Sequence, residues 1–154
     1  MTMNRRELLG GTAAWLAILS GWQAQAAAPL PEVHVFKSPT CGCCGAWIDH
    51  MKAAGFPVRV TEVNDTTAAR SQLGMPERYG SCHSASVAGY VLEGHVPAAE
   101  VKRLLKARPT AIGLAVPGMP PSAPGMDVPG RKDPYQVMLI DGAGQSSVYA
   151  NYPK

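Results

Sequence analysis

Residues 33–55 read V-H-V-F-K-S-P-T-C-G-C-C-G-A-W-I-D-H-M-K-A-A-G. Val33 to Phe36 is a short apolar run of the kind that forms a buried strand, and Lys37-Ser38-Pro39-Thr40 ends it. Cys44, Trp47, Ile48 and Met51 then recur at i, i+3, i+4 and i+7, which predicts one apolar helix face from about Cys43 to Ala54, stopped by Gly55. Three sulfurs therefore sit where a strand hands over to a helix. At such a helix start the unpaired amides and the positive dipole end stabilise anions, so a thiol there is readily ionised. Cys41 and Cys44, three apart, are expected on one side of the first turn, with Cys43 rotated away from them.

Working outward, Val58, Val60 and Val63 mark a second strand. Asn64-Asp65-Thr66 then caps a short helix carrying Ala68, Ala69 and Leu73, which Gly74-Met75-Pro76 closes. Ser86 to Gly94 reads as two short strands around Ala88-Gly89, and Pro97 opens a helix with the stripe Val101, Leu104 and Leu105. Lys102, Arg103, Lys106 and Arg108 form its solvated face. Segment 107–134 is rich in Pro and Gly, lacks periodicity and is expected to be a long loop. Tyr135–Asp141 and Gln145–Tyr152 form a hairpin across Gly142-Ala143-Gly144. A C-x-x-C at the helix start of a strand-helix-strand unit is the mark of a thioredoxin-like site. The fold expected is α/β: a thioredoxin-like mixed sheet with flanking helices, a Pro/Gly-rich loop and a terminal hairpin, spanning 33–154.

The N-terminal residues read as an address. Arg5-Arg6 precede an apolar run of about a dozen residues, too short to span a bilayer, which ends in A-Q-A-A-A. Residues 1–26 are thus expected to be a signal peptide, twin-arginine-like in its Arg pair, cleaved near Ala26 to leave no stable membrane span and a periplasmic protein. The 154 residues are 46% hydrophobic and 16% charged, with net charge +3. That composition excludes a disordered chain, and the scattered basic residues form no patch for nucleic acid.

In a thioredoxin-like topology the loop holding Cys82 and His83, just before the strand pair, lies against the C-x-x-C turn. Four thiols and an imidazole then converge. Soft thiolate and thioether donors favour Cu(I), whereas structural zinc wants two well-separated ligand pairs. Met119 in P-G-M-P and Met126 in P-G-M-D sit in twin Pro-Gly-Met units of the long loop, where a methionine has little core to fill. Trp47 and Met51, by contrast, read as core, and His34 and His50 take no assigned role.

The chain resembles the periplasmic copper-resistance CopG family from about Val33 to Asp127. The resemblance is carried by T-C-G-C-C-G-A-W at 40–47, S-C-H-S-A at 81–85, G-Y-V-L-E-G-H-V-P-A at 89–98, and G-L-A-V-P-G-M-P with S-A-P-G-M at 113–126. It implies a thioredoxin-like fold whose cysteines, Cys41, Cys43, Cys44 and Cys82, bind a copper cluster that changes copper's oxidation state. His83, His95, Met119 and Met126 lie in the same motifs as further metal ligands. Copper ions and other periplasmic copper-handling proteins are then the expected partners. Two other readings stay open: a thiol-disulfide oxidoreductase, with Cys41 as nucleophile and Cys44 resolving, and a copper carrier without redox change.

Overall fold

The computed structural model describes residues 28–154; the signal segment expected at 1–26 lies outside them. Elements follow in the order β1 (Val33–Lys37), α1 (Gly42–Ala53), β2 (Val58–Glu62), α2 (Thr66–Gln72), a 3₁₀ turn (Glu77–Tyr79), β3 (His83–Val87), β4 (Tyr90–Glu93), α3 (Ala98–Ala107), β5 (Gly113–Ala115), β6 (Tyr135–Ile140) and β7 (Ser146–Tyr152). The strands form one seven-stranded mixed sheet ordered β2-β1-β3-β4-β5-β6-β7. Its first four strands with α1, α2 and α3 make a thioredoxin-like unit: β1 and β2 are parallel across α1, while β3 and β4 are an antiparallel hairpin leading to α3. The other three strands extend the sheet from the free edge of β4.

Alternation along the strands divides the interior into two layers. Val33, Val35, Ala85, Val87, Leu92, Leu114 and Val137 join Trp47, Ile48 and Met51 of α1 and Val101 and Leu104 of α3 in the main core. On the opposite face Val91, Ala115 and Ile140 pack with Met75 and Tyr79 in a smaller one. The thiol-bearing end of α1 is thereby fixed over β1 and β3 by a fully buried Trp47, whose indole Nε1 donates to the Val96 carbonyl at 2.9 Å.

Three local expectations change. Segment 107–134 is not loop throughout, because Gly113–Ala115 pairs with both β4 and β6; three residues are too few to show a period. In α2 the buried pair is Ala69 and Arg70, with Ala68 exposed, since the helix turns Arg70 toward a buried carboxylate. In β2, an edge strand, Val60 is exposed. Among the described residues, no helix is long and apolar enough to cross a membrane.

Candidate metal centre

Cys41 is the N-cap of α1, with extended backbone angles of φ −78° and ψ 97°, and its side chain makes no capping hydrogen bond. Because the N-cap lies outside helical periodicity, Cys43 is not turned away from it: the two sulfurs lie 3.6 Å apart. Cys41 and Cys44 are joined as a disulfide, and Cys43 and Cys82 are free. Cys82, immediately before β3, brings its sulfur to 3.9 Å from that of Cys43, and Cys44 Sγ lies 3.8 Å from the Cys82 carbonyl. All four sulfurs fall within 4.8 Å of one another.

Cys82 also belongs to a second group. His83 is the first residue of β3, not a loop residue, and is fully buried with its ring 4.5 Å from that of Trp47. Its Nδ1 lies 3.3 Å from Cys82 Sγ, while Nε2 is buried with no hydrogen-bond partner among the described residues. His95, equally buried, places Nε2 3.1 Å from the same sulfur. Its Nδ1 hydrogen-bonds the Pro124 carbonyl at 2.8 Å; as carbonyls only accept, Nδ1 carries the proton and Nε2 keeps its lone pair for the sulfur side. The Cys82, His83 and His95 donor atoms form one cluster within 4.8 Å.

Burial sets the protonation states. It pushes the His83 imidazole down to about 3, helped by nearby His95 and Lys37, so the ring stays neutral and able to donate a lone pair. It lowers His95 too, against the opposing influences of the Pro124 hydrogen bond and Asp127. Burial, with Cys43 alongside, pushes the Cys82 thiol up to about 12. A thiol so reluctant to ionise in isolation ionises when a cation replaces its proton.

The loop methionines differ from each other. Met126 is partly buried against the main core, so packing explains it in part after all, while Met119 is 54% exposed. Backbone contacts fix the residue before each of them. Gly118 donates to the Gly80 carbonyl at 3.2 Å, and Gly125, at φ +84°, rests where a side chain would meet Trp47 N at 2.5 Å. The long loop is thus laid across the first turns of α1.

The donor set suits a soft cation: sulfurs with neutral imidazoles, and an orphaned buried nitrogen that a cation would satisfy. As a disulfide, Cys41 and Cys44 offer no thiolates, so the four-thiolate set belongs to the reduced protein. Sequence reasoning missed the Pro124 carbonyl and also a buried ion pair, Arg70–Glu93, behind the Cys82 segment. The readable signals for that pair were an Arg amid the small residues of T-T-A-A-R-S-Q and a Glu ending the apolar strand Y-V-L-E.

Residues 79–126 match a family model described as a protein of unknown function, DUF411. Two solved structures, titled copper resistance protein CopG, form 1 and form 2, are similar over most of the chain. The first is 43% identical, with a TM-score of 0.76, covering 81% of this chain and 99% of the other. The second is 44% identical, with a TM-score of 0.77, covering 82% and 100%. No curated protein sequence gives a significant match.

Proposed function

Because the chain belongs to the CopG family of copper-resistance proteins, we propose that it is an exported periplasmic protein in which Cys41, Cys43, Cys44 and Cys82 hold Cu(I). Thiolates bridge more than one ion, and His83, His95, Met119 and Met126 complete the coordination. The observation that carries this reading is the double membership of Cys82, whose sulfur belongs both to a group of four sulfurs and to a group with two imidazoles. A thiolate so placed is a natural bridge between metal positions. Thiolate favours Cu(I) and imidazole accommodates Cu(II), so the balance of donors sets the oxidation state and supports interconversion of the two.

The test is an anaerobic titration of the fully reduced protein with Cu(I) against a competing chelator, for the native chain and Cys82→Ser. Tight binding that collapses in the variant is expected; equal affinities overturn the shared cluster. Oxidation of the loaded protein should then produce a Cu(II) paramagnetic signal that a reductant reverses, and a silent spectrum marks a carrier.

A second reading, thiol-disulfide exchange, draws support from the Cys41–Cys44 disulfide with the free Cys43 sulfur 3.6 Å from Cys41. Reduction of a disulfide substrate by the metal-free dithiol form, abolished in Cys41→Ser, supports it.

A further inference from the structure

We propose that Arg70 and Glu93 are the positioning residues of the centre, gripping the backbone around Cys82 from the opposite face of the sheet. The inference deepens, and rests on, the copper-binding reading. Arg70 is 3% exposed and Glu93 fully buried. Arg70 Nε donates to Glu93 Oε1 at 2.9 Å, and Nη1 donates to both oxygens of Glu77 at 2.8 and 3.0 Å. The rest of the network closes on Ser81. Its amide donates to Glu93 Oε1 at 2.7 Å, and its carbonyl accepts from Arg70 Nη2 at 2.9 Å. Both backbone polar groups of the residue before Cys82 are therefore committed to one ion pair.

The far end is held as well. Ser84, directly after His83 and paired with Glu93 across the hairpin, donates its hydroxyl to Glu93 Oε2 at 2.5 Å. Ser84 and Glu93 face α2, while the alternation of β3 turns His83 toward α1. One carboxylate thus anchors both flanks of the Cys82-His83 pair without touching either ligand. Gly94, at φ +70°, leaves the room this needs: a side chain there would come within 2.5 Å of Ser81 Oγ. The hold extends to the long loop, because Ser81 Oγ donates to the Gly118 carbonyl next to Met119.

Stability alone accounts poorly for such a pair. Glu93 is fully buried and Arg70 nearly so, so both charges leave water to form it. Replacing both partners of a buried pair with apolar groups is often neutral or stabilising. What the ion pair supplies that a Leu–Met contact cannot is directional hold on a backbone segment.

The experiment uses the full mature chain, reduced, in three forms besides the native one: Glu93→Gln, which keeps shape, the double variant Arg70→Met with Glu93→Leu, and Val137→Ala, a core truncation on β6, three strands along the sheet from β3. Melting temperature, Cu(I) affinity by chelator competition, and the metal-free rates at which iodoacetamide alkylates Cys82 and Cys43 are measured. The double variant should bind Cu(I) about 10–100-fold more weakly, the usual cost of losing partners that orient ligands. Its Cys82 should alkylate several-fold faster with Cys43 unchanged. Glu93→Gln should fall between, and Val137→Ala should lose melting temperature without losing affinity. Native affinity and Cys82 reactivity in both Glu93 variants overturn the proposal, as does an equal affinity loss in Val137→Ala. Should the native chain bind no Cu(I), the copper reading fails, while the alkylation rates still decide the positioning role.

Discussion

The two halves of the centre are built in different ways. Cys41, Cys43 and Cys44 come from four consecutive residues at the start of α1, so chain connectivity alone brings their sulfurs together. Cys82, His83 and His95 are assembled by the β3–β4 hairpin, with the two imidazoles fully buried and the backbone of Ser81, the residue before Cys82, held by an ion pair beneath. The trio carries a disulfide, whereas the second group has neutral nitrogens already aimed at a thiol. The contrast suggests a division of labour: the local half supplies adaptable sulfur and the sheet-borne half supplies fixed geometry.

The sharpest way to break that comparison is to remove the residue both halves share. Cys82→Ser should weaken Cu(I) binding by more than about 100-fold in a competition titration, a larger loss than any single outer partner brings. A smaller loss than for Cys43→Ser would make the sheet-borne half dispensable.

Next in size is the pH response of the metal-free protein. The folded pKa of His83 is depressed to about 3 by burial, below the ordinary value of 6.5, so its stability contribution is complete above pH 6.5 and shrinks as pH falls toward 3. Between pH 6.5 and 5 this amounts to about 2 kcal/mol. Denaturant unfolding at a series of pH values should show the slope in the native chain and a flatter one in His83→Phe. Identical slopes would contradict the buried neutral ring.

His95→Gln should cost about tenfold in Cu(I) affinity and alter the Cu(II) signal of the oxidised protein, since it removes a nitrogen but leaves four sulfurs. An unchanged paramagnetic spectrum would remove His95 from the coordination. Smallest is Met119→Leu. A thioether 54% exposed at the outer edge is expected to change affinity no more than about threefold, measured by the same titration. A tenfold loss would move Met119 into the inner set.

Much of the first half was legible in sequence, because a strand, a breaker and an apolar stripe with Cys44 in it are local signals. The meeting with Cys82 followed from strand–helix order. The burial of His83 did not, as it depends on the register that sets it beside Lys37 and on the Trp47 ring lying over it. Arg70 and Glu93 are 23 residues apart, and nothing in either neighbourhood names the other as partner. Helical spacing does not place Cys43 relative to Cys41, because the Cys41 backbone is extended. Strand β5 was too short to announce itself.

The most direct test is X-ray absorption at the copper edge of the reduced, Cu(I)-loaded native protein. A coordination shell dominated by sulfur, with scattering from a neighbouring copper, is the expected result. A shell of nitrogen and oxygen alone would contradict the assembly of sulfurs from two distant stretches into one centre.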